Sequence, residues 1–153
     1  MNNMMKSSFG FRALFLSVWM LVTTAFADGE AILSAAQNLD NEAKNVDTQS
    51  IFGDLATIFK VDQALVEKFL GSKGYQWSEL VYVKLLADKT SQTPEAVIKA
   101  NADRDWLVAL KKTGVAEKDA VQQLNTVYTE LAFLLLDKPS ARLNTKTVVA
   151  RKR

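Results

Sequence analysis

From residue 30 to residue 138 the apolar positions recur every three or four residues, not every second one, which is the period of helices with one buried face. Residues 30–44 place Ile32, Leu33, Ala36, Leu39 and Ala43 on one side. A second helix carries Ile51, Phe52, Leu55, Ile58 and Phe59 inward, with Asp47 or Ser50 placed to cap it. Asp62 stands before a third, Gln63 to Leu70, where its carboxylate can accept an otherwise unpaired amide of the first turn. The run Gly71-Ser72-Lys73-Gly74 ends that helix. A fourth is predicted from Gln76 to Ala87, with Trp77, Leu80, Val81, Val83, Leu85 and Leu86 as its apolar set. Thr93-Pro94-Glu95 is a start signal, a capping hydroxyl followed by Pro at the first helical position. A short sixth segment around Asp105 to Lys112 ends at Gly114. The last and longest helix runs from about Glu117 to Leu136, with Val121, Leu124, Tyr128, Leu131 and Leu135 as its stripe. Near its end Leu131 to Leu136 is apolar almost all round, as in a helix that is centrally buried or shared with a partner.

The pattern therefore predicts an all-α fold, a compact bundle of six or seven short helices. A faint repeat runs through it. Val61-Asp62-Gln63-Ala64-Leu65-Val66 aligns with Thr93-Pro94-Glu95-Ala96-Val97-Ile98, and each is followed by a loop and a Trp, Trp77 or Trp106, opening the next helix. Two copies suit a pair of helical hairpins better than a solenoid.

The N-terminal stretch breaks this period. Lys6 and Arg12 precede fifteen uncharged residues, Ala13–Ala27, which end in Ala25-Phe26-Ala27. Basic, apolar and small-residue parts in that order make a secretory signal peptide, cleaved after Ala27 with Ala25 and Ala27 as the small residues at the cut. As a helix the run spans about 22 Å, short of the roughly 30 Å of a bilayer core, so a retained anchor is the lesser alternative. The division expected is residues 1–27 as signal, 28–138 as a single helical domain, and 139–153 as a disordered basic tail. The destination is the periplasm or the exterior.

Charge changes the picture once it is divided the same way. Residues 28–138 hold 12 basic and 17 acidic side chains; residues 139–153 hold Arg142, Lys146, Arg151, Lys152 and Arg153 and no acid. A near-neutral total thus hides an acidic body and a basic end. The body lacks the cations that phosphate neutralisation needs, so no nucleic-acid partner is expected. The basic end offers an alternative role, contact with an anionic lipid or polyanion. The chain has neither Cys nor His. Disulfides, zinc sites of the usual ligands, and Ser-His or Cys-His nucleophiles are excluded, and no cofactor, metal or catalytic residue is assigned.

Three aromatics remain as contacts for a ligand or partner: Tyr75, Trp77 and Trp106. Gly74-Tyr75-Gln76-Trp77-Ser78-Glu79-Leu80 sets two rings and an acid at a helix start, as a ligand platform would; core packing is the simpler account. For an enzyme only carboxylates survive, Glu79 or the pair Asp103 and Asp105 around Arg104, as in a small hydrolase; at a helix start an Asp is ordinarily a cap. A DNA-reading helix is disfavoured because residues 62–70 present Asp62, Gln63, Glu67 and Lys68, not a basic face.

Phe59-Lys60-Val61-Asp62, the Gly74–Leu80 segment and Lys89-Thr90-Ser91-Gln92-Thr93-Pro94-Glu95-Ala96-Val97 together resemble a group of uncharacterised exported proteins of Gram-negative bacteria, over about residues 30–112. The sequence departs from that pattern where Gln76 and Ser78 replace glycines. The resemblance implies an exported helical domain and brings no activity with it. The function expected is that of a non-enzymatic protein-interaction or envelope-associated module with an unknown protein partner.

Overall fold

A computed structural model describes residues 29–71 and 75–143. Ordinary helix chemistry accounts for most of the boundaries. Helix α1 covers residues 29–43. A 3₁₀ turn, Thr48–Ile51, leads into α2, Phe52–Phe59. Asp47 does not cap it with its side chain; Ser50 Oγ donates instead to the Asp47 carbonyl, at 2.8 Å. Helix α2 stops at Lys60 in the left-handed conformation. Helix α3, Gln63–Leu70, starts where Asp62 Oδ1 accepts the amide of Ala64 at 2.9 Å. Helix α4 is Trp77–Thr90, ending three residues beyond the Ala87 that the sequence pattern suggests. The extra turn follows a bond from Thr90 Oγ1 to the Leu86 carbonyl, at 2.7 Å, before Ser91 turns left-handed. Helix α5, Pro94–Ala100, has Thr93 as its cap, accepting from Ala96 N. Helix α6 is Trp106–Lys112 and α7 is Glu117–Asp137. Gly114, at φ +69°, makes the turn between them, a conformation that a β-carbon would disfavour.

The described residues form one all-helical body. Helix α4 lies at its centre and packs against α2, α5, α6 and α7. Its middle is buried on most sides, at Leu80, Val81, Tyr82, Val83 and Leu86. Around it close Leu39 of α1, Leu55 and Phe59 of α2, Val66 of α3, and Leu124, Leu131 and Leu135 of α7. The repeat seen in the sequence is present as structure. Helices α3 and α5 are short and side-chain capped, and each is followed by a loop and a helix whose first residue is a buried Trp.

Several expectations are corrected. Leu33 faces outward, 54% exposed, and Ala35 takes the buried place beside Ile32 and Ala36. On α7 the buried stripe is Ala120, Leu124, Val127, Leu131 and Leu135. Tyr128 lies outside it, because a stripe spaced by three and four continues from Leu124 through Val127 and leaves the next position at the edge. The apolar end of α7 is not centrally buried throughout: Phe133 and Leu136 are 67% and 72% exposed. Residues 139–143, expected as the start of a disordered tail, are ordered. Pro139–Ala141 forms a 3₁₀ turn with Ala141 buried. Arg142 makes an antiparallel bridge with Val46, and Leu143 N donates to the Asn45 carbonyl at 2.8 Å. A small residue and backbone bonds suffice to tie these residues down, without the large apolar groups the sequence lacks there. The signal segment with Ala25 and Ala27, and the basic residues Lys146, Arg151, Lys152 and Arg153, lie outside the described residues. Among the described residues no helix is long and apolar enough to cross a membrane.

Candidate functional site

Glu79 is the third residue of α4, a place where an acid usually points to water and the helix dipole. Here it is buried, 6% exposed. A buried carboxylate is costly unless its oxygens are matched by donors, and here they are. Oε1 accepts from Arg104 Nε and from Trp106 Nε1, each at 2.7 Å. Oε2 accepts from the amide of Gln76 at 2.7 Å and from Arg104 Nη2 at 2.5 Å. Four donors fill about the whole acceptor capacity of one carboxylate. The guanidinium meets both oxygens, the planar two-point geometry that Lys cannot copy, and this bond holds the Arg104 pKa above its usual value.

Arg104 reaches Glu79 from a strained backbone. Its φ of +61° is left-handed, worth about 1–2 kcal/mol for a residue with a β-carbon. The guanidinium carbon lies 4.7 Å from the centre of the Tyr75 ring, a cation–π contact. Tyr75 also packs on Phe69, with centroids 4.3 Å apart, and Trp77 meets Phe59 edge-on at 6.3 Å. The structure thus brings Trp106 and Tyr75 to the Glu79–Arg104 pair, while Trp77 packs against Phe59. Trp77 and Trp106 are buried, so little ring surface is left for a ligand, and the Trp106 N–H is already committed. Asp103 and Asp105 stay exposed in the turn before α6; the Asp105 amide lies 3.5 Å from Asp103 Oδ1, a long contact. Arg104 between them is the residue that matters.

A second polar group joins α1 to the start of α4. Asp40 Oδ1 accepts from the Ser78 amide at 2.9 Å and Oδ2 from Ser78 Oγ at 2.6 Å. Burial pushes the Asp40 carboxyl above its ordinary value, outweighing the two Ser78 bonds and one from the Trp77 backbone, and the Glu79 charge adds to the rise. One turn further along α4, the Tyr82 hydroxyl is buried without a hydrogen-bond partner. Burial, then the charges of Asp40 and Glu79, push the phenol pKa up, so it stays neutral.

These residues share one groove of about 930 Å³ between α1, the start of α4 and α6, within the size range of ligand sites. The α1 wall is Leu33, Ala36, Gln37, Asp40, Asn41 and Lys44; the other side is Tyr75 to Glu79, Tyr82 and Arg104 to Leu107. Sequence reasoning found the aromatics and Glu79 but missed Asp40, Ser78, Tyr82 and the polar stripe of α1. The signal that was present is the spacing of Gln37, Asp40, Asn41 and Lys44, which falls on one helix face. Among the described residues no group of side chains is arranged to hold a metal ion. Of the basic residues expected to meet an anionic surface, Arg142 is within the description and pairs with Glu42 at 3.5 Å.

No protein-family model matches the chain, and no match is found among curated proteins or solved structures.

Proposed function

We propose that the chain is an exported, non-enzymatic interaction module of a cell envelope, and that the groove between α1 and α4 is its contact site. One observation carries this reading: the acid best placed for chemistry, Glu79, spends its acceptor capacity on Arg104, Trp106 and Gln76, while the groove beside it is left open. The carboxylate-hydrolase alternative needs an acid free to exchange a proton with a substrate, and Glu79 is engaged in holding α6 to α4. Export is supported by the order of parts in residues 1–27 and by the resemblance to exported helical proteins. The rival role, contact with an anionic surface through residues 142–153, loses one of its five cations to Glu42.

The test is a photo-crosslinking side chain placed at Asn41, on the groove, and separately at Asn125, exposed on α7. In envelopes of the producing cell, protein adducts should form from position 41 and not from 125. Equal adducts from both positions, or none from 41, would overturn the proposal.

A further inference from the structure

The walls of the groove carry five charged side chains, and they do not balance. Glu79 and Arg104 cancel each other across a bidentate pair. Lys44 is at the rim and donates to Asn41 Oδ1 at 2.9 Å. Asp40 and Asp105 make no ion pair with any described residue. Asp40 receives the two Ser78 donors and the Trp77 backbone amide, all of them neutral, so no cation meets its charge. The Tyr82 side chain lines the same groove, and its hydroxyl, in a residue 95% buried, has no hydrogen-bond partner. The body around the groove is itself acidic, 12 basic against 17 acidic side chains in residues 28–138.

From this arrangement we infer that the groove takes an extended, lysine- or arginine-bearing segment of a partner protein, with one cation seated on Asp40. The inference rests on the groove being the contact site. The α1 wall from Leu33 to Lys44 is about 16 Å long at the helical rise, which matches about five residues of extended chain at about 3.3 Å each. A cation at Asp40 supplies the opposite charge that its neutral donors do not. A second one near Asp105 would follow the other unpaired acid. Charge complementarity of this kind favours encounter and register more than bulk affinity, so the expected binding is salt-sensitive.

The experiment uses the full chain and a fluorescein-labelled nine-residue Gly/Ser peptide containing three lysines, followed by fluorescence anisotropy at low salt. Saturable binding that weakens as salt is raised is expected, and none for the same peptide with glutamate or serine in place of lysine. Gln37→Lys, an exposed change on the groove wall, should weaken binding at least tenfold with no shift in melting temperature; Asp105→Asn should weaken it about threefold. Asp40→Asn should abolish saturable binding, read beside its melting curve. If the serine peptide binds as well as the lysine peptide, the cation inference fails while the groove remains a contact site. If Gln37→Lys changes nothing, the peptide sits elsewhere and the inference fails. If changing Lys146, Arg151, Lys152 and Arg153 to Gln makes the lysine peptide bind tenfold tighter, the chain's own basic end is the occupant and the partner reading is overturned. A mass that doubles in solution and returns to that of one chain on adding peptide would identify a second copy instead, with the same consequence.

Discussion

The indole N–H of Trp106 donates to Glu79 Oε1 at 2.7 Å, across 27 positions of sequence. That bond joins the two repeated units. Trp106 opens the second Trp-initiated helix, and Glu79 belongs to the first turn of the helix that Trp77 opens. Arg104, two residues before Trp106, closes the same link with two further bonds. Glu79 is thus a fastening between α4 and α6 as much as a cap for α4.

Glu79→Gln should therefore cost more than a helix-start acid ordinarily would. Removing one partner of a buried ion pair costs about 3–5 kcal/mol, and the partial exposure of Arg104 lowers that toward about 2–3 kcal/mol. The melting temperature should fall by roughly 8–15 °C for a domain of this size. A drop of under 2 °C would show that the four bonds contribute little beyond offsetting the burial of the charge.

Tyr82→Phe should do the opposite. The hydroxyl is buried with no partner, and an unpaired buried polar group costs about 1–3 kcal/mol. Removing one oxygen at constant ring shape should leave stability equal or raise it by up to about 1 kcal/mol in a denaturant titration. A clear loss of stability would mean that the hydroxyl is hydrogen-bonded in solution.

Much of the fold was legible because it depends on local chemistry. The start signals at Asp62 and at Thr93-Pro94 acted as read, since a cap needs only its own turn. The all-helical class followed from the spacing of apolar residues. The site was legible only in fragments. Tyr75, Trp77, Trp106 and Glu79 were visible as unusual residues, but nothing local says that Arg104 would turn left-handed and reach back 25 positions to Glu79. The Asp40 to Ser78 link spans 38 positions and joins two helices that each look self-sufficient. A non-local polar bond leaves no period in a sequence. The misreading of Tyr128 and Leu33 has a different cause: both sit at the border of an apolar stripe, where burial depends on the neighbouring helix and not on the helix itself.

The two faces of α7 should separate cleanly under substitution. Leu131 is fully buried, whereas Phe133 is 67% exposed only two positions away. Leu131→Ala should cost about 2–5 kcal/mol through lost burial and the cavity left behind. Phe133→Ala should stay within about 0.5 kcal/mol in the isolated chain. Chemical denaturation of both variants at one protein concentration checks this. A cost above 1 kcal/mol for Phe133→Ala would mean that its ring is covered in solution.

Asp40 gives the fold a pH dependence of a particular sign. Its carboxyl is raised above the ordinary value of 3.8 because burial disfavours the charge more than Ser78 favours it. A carboxyl raised in the folded state binds its proton more tightly there than in the unfolded chain, so this group stabilises the fold at low pH and loses that contribution as pH rises through the folded value. The contribution is complete only below about pH 3.8. Acidic residues elsewhere titrate in the same range, so the quantity to follow is the stability of the natural chain minus that of Asp40→Asn, measured by urea titration from pH 7 down to pH 3.5. The difference should move in favour of the natural chain as the pH falls, because only that chain gains a proton at position 40. A difference that is flat, or that moves toward Asp40→Asn on acidification, would mean that the hydrogen bonds to Asp40 match or outweigh burial, and that its carboxylate is already satisfied without a cation.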